Sequence, residues 1–412
     1  MNMDQPAATF HLHCYQCGHT APLDAPFTCP ACGDPLSLRP VRVDAPPRWE
    51  TPRTMWDYGA LLPIRDPGAV VTLGEGATPL VHAEHLAAKY GFGEVRLKNE
   101  MTNPTGSFKD RQISVGISRA RELGRDTVAV VSSGNVAAAA AAYAAKAGMR
   151  AVLFMHGQAG QGKIRQAAIY GATVLCVDSP APSRVFELCL EACSRWGWYH
   201  LSTAGMYEPY NVEGAKTIAY ELYQQYGGEL PDYVVAPVGG GGLLGGLWRG
   251  LLDLQRMGLV AHVPKLVGVQ AAGCAPFPQA LEQGWSFQES LKHPWPDPET
   301  VAGGIADDII FDGHTALPAI RSTGGKAITV TDDAIMAGLH LLAEREGLLC
   351  EPTCAPVIAA LEELGGMGKG ARVCCIVTGN GIKELPYLKT VRNEPVRVAA
   401  TMEAISDALK KT

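Results

Sequence analysis

The sequence predicts an α/β protein with two parallel-sheet units, preceded by a small metal-binding ribbon. Three observations carry this. β-Branched apolar runs alternate with helical stretches over about 105–205, the alternation of a parallel sheet with crossover helices. A second apolar run, 232–238, enters Gly239, Gly240, Gly241 and Gly242 and then a helix. Near the start, Cys14-Tyr-Gln-Cys17-Gly18 and Cys29-Pro-Ala-Cys32-Gly33 form two paired-cysteine knuckles. The chain has 412 residues, 47% apolar and 18% charged, which is enough for two or three domains with a large core.

Composition narrows the function. Net charge is -6 and there is no basic block, which argues against nucleic acid as a partner. No apolar run reaches the roughly 18 residues a membrane helix needs. The N-terminal stretch lacks the charged and apolar regions of a secretory signal. Of 12 cysteines, those outside the paired knuckles are scattered through apolar segments, so a reducing cytoplasm is the expected location.

Taken in order, 1–45 is the ribbon. Four thiolates at this spacing suit tetrahedral zinc, with a glycine after each second cysteine letting backbone amides approach the sulfurs. The competing reading is two disulfides or four free thiols. A four-cysteine shell is closed, so its role would be structural. His11 and His13 are bystanders to it. Residues 46–104 are a linker and the first part of a large domain. Pro46, Pro47, Pro52, Pro63 and Pro67 mark the linker, and Trp49 and Trp56 are expected to pin it to the body. The body begins near Val70, and 96–100 reads as a strand.

Pro104 and Gly106 then make a turn, and a helix follows from Asp110 with Ile113, Gly116, Ile117 and Ala120 on one face. Lys109 stands where the loop enters the helix. A lysine there is ordinarily solvated. Beside Phe108 it is a candidate for partial burial, which favours a neutral, nucleophilic amine. The small domain is 105–205. In it, strand 127–131 leads through Ser132, Ser133, Gly134 and Asn135 into an alanine-rich helix, whose free amides make the turn an anion site by geometry. An ordinary N-cap at Ser132 or Ser133 is the plain alternative. Strand 151–155, helix 163–170 and strand 173–177 follow. Lys163 and Arg165 read either as exposed helix residues or as phosphate or carboxylate contacts.

The large domain is 206–395. The glycines at 239–242 let backbone approach a phosphate, and the following helix dipole adds attraction. A dinucleotide fingerprint can be spelled from Gly240, but no acidic residue follows a second strand at the required distance. Strand 266–270 comes next. The segment 275–300, with Pro276, Pro278, Pro294, Pro296 and Pro298, reads as an irregular excursion and a candidate dimer or lid element. A helix ends over 344–349, and strand 373–377 ends at Thr378. The tail 396–412 is an amphipathic helix ending in Lys410 and Lys411, which suits its dipole.

The spelling Asn103-Pro-Thr-Gly-Ser-Phe-Lys109-Asp-Arg111 resembles the cofactor-lysine motif of threonine synthases, within the fold-type II pyridoxal-phosphate enzymes. So do Gly74-Glu-Gly-Ala-Thr-Pro-Leu80 before it and Thr378-Gly-Asn-Gly-Ile-Lys383 after it, in family order over roughly 70–390. The resemblance implies an active site between the two sheet domains. It implies pyridoxal 5'-phosphate on Lys109 as a Schiff base, with the freed lysine as general base. Gly239, Gly240, Gly241 and Gly242 would cradle the cofactor phosphate, Asn135 would bond its ring hydroxyl, and the Thr378 hydroxyl would cap its pyridine nitrogen. The substrate α-carboxylate would lie on Ser132, Ser133 and Gly134. The nominal reaction converts O-phosphohomoserine to threonine and phosphate, and a homodimer is usual.

The chain departs from the family where a substrate phosphate would bind. Gly240 and Leu243 stand in place of asparagines, Val136 in place of threonine and Asn211 in place of arginine. The glycine loop is more similar to that of serine and threonine dehydratases. Three readings follow. One is a threonine synthase whose phosphate is held by Lys163 or Arg165. Another is β-elimination or β-replacement on serine, threonine or an O-activated serine, as in a dehydratase or a cysteate synthase. The third, a non-catalytic binding protein of the same fold, is opposed by the intact Lys109, Asn135 and Thr378.

Overall fold

The structure, a computed structural model, describes residues 9–41, 52–156, 161–179, 182–366, 368–384 and 395–410. The ribbon is a three-stranded antiparallel sheet of β1 (Phe10–His13), β2 (Thr20–Ala21) and β3 (Ser37–Pro40), in the order β2-β1-β3. Its core is small: Leu12, Leu36 and Leu38 pack with Cys14, Cys29 and, from the body, Tyr210. A segment this short needs a cross-link as well as apolar burial to hold its shape.

The body follows as β4 (Leu80–His82), α1 (Glu84–Tyr90), β5 (Glu94–Asn99), α2 (Lys109–Glu122), β6 (Thr127–Val131), α3 (Asn135–Ala147), β7 (Arg150–His156), α4 (Gln161–Ile169), β8 (Thr173–Val177), α5 (Pro182–Trp196) and β9 (Tyr199–His200). Then come α6 (Lys216–Gln225), β10 (Tyr233–Pro237), α7 (Gly242–Arg256), β11 (Lys265–Ala271), α8 (Pro276–Glu282), α9 (Phe287–Ser290), α10 (Gly313–Thr323), β12 (Lys326–Val330) and α11 (Asp332–Glu346). The short helices α12 (Pro356–Ala359) and α13 (Leu361–Gly365) precede β13 (Arg372–Val377), and α14 (Met402–Leu409) ends the described chain.

Two sheets result. β8-β7-β6-β9 is a four-stranded sheet with parallel pairings throughout. The larger sheet has the order β12-β11-β10-β13-β5-β4. Its pairs are parallel except the edge pair β4 with β5, which is antiparallel. The alanines of α3 explain the close fit on the small sheet: Ala137 to Ala142 and Ala144 are all buried, so the helix backbone lies near the strands. Among the described residues no helix is long and apolar enough to cross a membrane.

The described part of the proline-rich stretch is pinned to the body through Trp56, as expected. Met55, Trp56, Leu62 and Ile64 are buried with Val115 of α2, and the Trp56 ring nitrogen donates to Glu75 at 2.8 Å and Ser114 at 2.9 Å. Trp49 lies outside the described residues. The excursion 275–300 is more ordered than its prolines suggest. Pro276 stands at the start of α8, where its missing N–H costs nothing and its fixed φ favours the helix.

Strand order decides where chemistry can sit. β10, β13 and β5 are neighbours, and their C-terminal ends deliver the glycine loop, Thr378 and the Lys109 loop side by side. Ligands in open α/β sheets bind outside these carboxyl ends.

Candidate active site

The Lys109 loop is knitted into its neighbours. Asp110 accepts from the Thr105 amide at 2.9 Å and its hydroxyl at 2.8 Å, closing the turn on itself. Gly106 has φ 82, a left-handed conformation that favours glycine. The Phe108 amide donates to the Thr378 carbonyl at 3.0 Å, and the Asn380 amide to that of Gly106 at 2.9 Å. The lysine loop and the Thr378 turn therefore move as one piece. Lys109 is the first residue of α2, partly buried, with its amine 4.7 Å from the Phe108 ring centre. Nζ donates to Gln112 Oε1 at 3.2 Å. Burial pushes the amine down to about 8, against the pull of Asp307 and Asp312, so its neutral form is accessible near physiological pH.

A buried ionic network holds α2. Arg111 is fully buried and donates to Glu100 at 2.7 and 2.8 Å, to Glu221 at 2.6 and 2.8 Å and to the Thr217 hydroxyl at 2.9 Å. Lys98 donates to Glu221 at 2.6 Å and to the Thr78 carbonyl at 2.7 Å. Burial works against the Glu221 charge, but Arg111 and Lys98 overcome it and hold the carboxyl at about 2. These bonds tie β5, α2 and α6 together two residues from Lys109.

The glycine loop fits a group that needs close backbone approach. Gly241 has φ 96, and a Cβ there would meet the Ala316 side chain at 2.9 Å. At Gly242 a Cβ would stand 3.0 Å from Asp312 Oδ2 and 3.5 Å from Gln112 Nε2. Gln112 is fully buried, and its Nε2 has no partner among the described residues. Since Lys109 donates to Oε1, Nε2 is the donor left over, next to the glycine loop. Burial raises Asp312 to about 7, although the Gly205 amide donates to it at 2.7 Å. Burial also raises Asp307 to about 6, with Lys109 and the Gly240 amide pulling the other way.

The turn before α3 reaches the same place. Asn135 Nδ2 donates to Glu351 Oε2 at 2.8 Å, and Lys383 Nζ donates to Asn135 Oδ1 at 2.7 Å. A Cβ on Gly379 would lie 3.2 Å from Asn135 Nδ2, which places Asn135 against the Thr378 turn. The Thr378 hydroxyl and the Cys354 thiol are 2.9 Å apart, and the Gly379 amide donates to the same sulfur at 2.9 Å. Ser132 Oγ accepts from the Gly134 amide at 3.1 Å, and Ser133 is exposed. Arg165 is exposed on α4, while the side chain of Lys163 lies outside the described residues. The structure thus brings Lys109, Asn135, Thr378 and the glycines at 239–242 together and adds Gln112, Asp307, Asp312, Glu351 and Cys354.

Asn211 is fully buried. Its Nδ2 donates to the Ser202 carbonyl at 2.6 Å, and its Oδ1 lies 2.2 Å from where a Cβ on Gly116 would be. There is no room here for an arginine without moving α2.

In the ribbon, the sulfurs of Cys14, Cys17, Cys29 and Cys32 all lie within 4.8 Å of one another. Cys14 and Cys32 are 3.4 Å apart, and Cys17 and Cys29 3.6 Å. Four sulfurs about 2.3 Å from one zinc ion would have such separations. His13 instead pairs with Arg39 at 3.1 Å and stays outside the cluster. The ribbon reaches toward the site. Ser37 Oγ is 3.2 Å from His314 Nε2, and Gln288 donates to the Gly33 carbonyl at 2.9 Å.

A buried amine at a loop–helix junction, a glycine cradle with an orphaned donor beside it and a threonine hydroxyl on the adjoining turn fit pyridoxal phosphate. Residues 71–379 match the family described as pyridoxal-phosphate dependent enzyme. A threonine synthase of Methanosarcina acetivorans is 36% identical over 97% of this chain and 98% of its own. One of Methanocaldococcus jannaschii is 36% identical over 87% of each. Among solved structures, a T.th. threonine deaminase superposes with TM-score 0.64 at 26% identity, covering 77% of this chain and 94% of its own. A maize serine racemase superposes with TM-score 0.65 at 21% identity, covering 81% and 93%, a likeness of fold. By sequence and architecture together, the chain belongs to the fold-type II pyridoxal-phosphate-dependent enzymes, as a threonine synthase-like lyase.

Proposed function

We propose that the chain removes a group from the side chain of a small amino acid, with Lys109 as both cofactor lysine and base. Pyridoxal phosphate supplies an electron sink for the bond broken at the substrate α-carbon. The Lys109 amine would hold its aldehyde carbon, and the same amine takes the α-proton. An amine near pKa 8 is close to the operating pH and suits that exchange. Gln112 Oε1 accepts from the amine and limits its rotation. Backbone amides of Gly239, Gly240, Gly241 and Gly242 and the start of α7 would hold the cofactor phosphate, Asn135 the ring hydroxyl and Thr378 the ring nitrogen. The turn Ser132-Ser133-Gly134 would orient the substrate carboxylate. The proposal includes a small α/β domain over 105–205, a large one over 206–395, a cytoplasmic location and a homodimer.

The nominal substrate is O-phosphohomoserine, by likeness to the relatives named threonine synthase. Its phosphate would require Lys163 or Arg165 of α4. A second reading, β-elimination or β-replacement on serine, threonine or an O-activated serine, is favoured by Asn211, which offers no cation. The observation that carries the shared chemistry is the partly buried Lys109 amine, held on a loop bonded to the Thr378 turn. The test is turnover of O-phosphohomoserine, threonine, serine and O-phosphoserine by the holoenzyme. The wild type is expected to use at least one and the Lys109→Ala variant none. Undiminished turnover by that variant would remove the assignment.

A further inference from the structure

Gln112 carries a donor that the folded chain leaves unused. Its side chain is fully buried, and Nε2 has no partner among the described residues. An unpaired buried donor is costly, so a native fold keeps one where something else supplies the acceptor. The amide cannot simply turn over. Gln112 stands one helical turn after Lys109 on the same face of α2, and Lys109 Nζ donates to Oε1 at 3.2 Å. A charged lysine offers donors only, so Oε1 faces it and Nε2 faces away. The backbone is held from the other side. The segment 211–215 closes on this turn of α2 through Gly214, where a Cβ would stand 2.9 Å from the Gln112 amide nitrogen.

Nε2 faces the start of α7. It lies 3.5 Å from the Cβ site of Gly242, the first residue of that 15-residue helix. No side chain caps α7 among the described residues, so its first amides also await an acceptor. Donors thus converge from two elements, α2 and α7. A water molecule would bring hydrogens of its own into that gap, whereas an anion brings acceptors only. The Thr203 carbonyl and Asp312 Oδ2 border the same point, 3.2 and 3.0 Å from the Gly242 Cβ site, yet neither accepts from Nε2. Burial raises Asp312 to about 7, so its neutral form is accessible beside an anion.

Resting on the lyase reading above, we infer that Gln112 is a further cofactor-binding residue, whose Nε2 donates to the phosphate held at the start of α7 while its Oε1 steadies the Lys109 amine. One neutral side chain then ties the lysine that carries the cofactor to the cradle that holds its phosphate.

The experiment titrates the full-length apoenzyme with pyridoxal 5'-phosphate and with pyridoxal, which has the same ring and aldehyde and no phosphate, and reads Kd for each by visible absorption. Wild type, Gln112→Met and Gln112→Glu are compared. Methionine keeps the length without the amide, and glutamate keeps the acceptor for Lys109 while losing the donor. A change at the lysine acts on both ligands and cancels in the ratio of the two Kd values. The advantage that the phosphate confers, Kd for pyridoxal over Kd for pyridoxal phosphate, is expected to fall about tenfold in Gln112→Met, as loss of one charge-assisted bond implies. It is expected to fall at least as far in Gln112→Glu, where a carboxylate faces the phosphate. Should one variant fail to fold, the other decides. A ratio within about twofold of wild type in either folded variant would mean that Nε2 meets water or Asp312 instead, and would overturn the inference while leaving the lyase reading intact. A wild-type apoenzyme that binds neither ligand would remove that reading and the inference with it.

Discussion

Glu221→Gln perturbs the support of the catalytic lysine without touching the site. Glu221 is fully buried and binds two cations. Arg111 lies at 2.6 and 2.8 Å, Lys98 at 2.6 Å, and the Ala77 amide also donates to it at 2.9 Å. The amide variant keeps the shape and one acceptor. Arg111 is then left with Glu100, and Lys98 with the Thr78 carbonyl and Gln225. Breaking a buried pair of this kind costs about 3–5 kcal/mol. For 412 residues, an unfolding entropy of roughly 2.1 cal/mol/K per residue gives about 0.9 kcal/mol per degree, so Tm should fall by about 3–6 °C. The pH dependence has a definite sign. The folded carboxyl sits at about 2, below its ordinary 4.5. Its contribution is therefore complete above pH 4.5 and is lost as pH falls through about 2. The gap between wild type and variant should narrow over that window. Differential scanning calorimetry of the cofactor-loaded proteins from neutral pH downward reads both. A Tm change under about 1 °C, or a gap that widens in acid, would refute the reasoning.

Metal analysis should find about one zinc per chain, and Cys29→Ser should reduce it and raise protease cleavage near Ser37, because the closed shell carries the ribbon's stability. A zinc-free ribbon equally resistant to protease would contradict this. In the apoenzyme, the rate at which pyridoxal phosphate joins Lys109 should rise about tenfold per pH unit and level near pH 8, where burial has placed the amine. A rise continuing to about pH 10 would mean an amine with ordinary solvation.

The parts legible in the sequence are local ones. Pro104 and Gly106 mark the loop, the glycines at 239–242 follow an apolar strand, and two cysteine pairs sit within one short segment. Each is a pattern whose chemistry depends on near neighbours. The rest depends on pairs far apart in the chain. Asp307 and Asp312 belong to no motif of the sequence, and only folding sets them on the glycines more than 60 residues away. Arg111, Glu221 and Lys98 look like solvated charges of helix and strand, yet all three are buried because they neutralise one another. Cys354 reads as one more apolar thiol, and its bond to Thr378 appears only when α12 is placed beside β13. Asn211 reads as a lost contact that an arginine would restore, but its neighbour Gly116 leaves no volume for one.

The central claim is that Lys109 carries the cofactor, and borohydride reduction of the holoenzyme followed by peptide mapping tests it most directly. The account predicts that the fixed cofactor is found on the peptide containing Lys109, with Asn103 and Arg111 at its flanks, and that Lys109→Ala yields no fixed label. Label recovered on another lysine, such as Lys163 or Lys383, would contradict it.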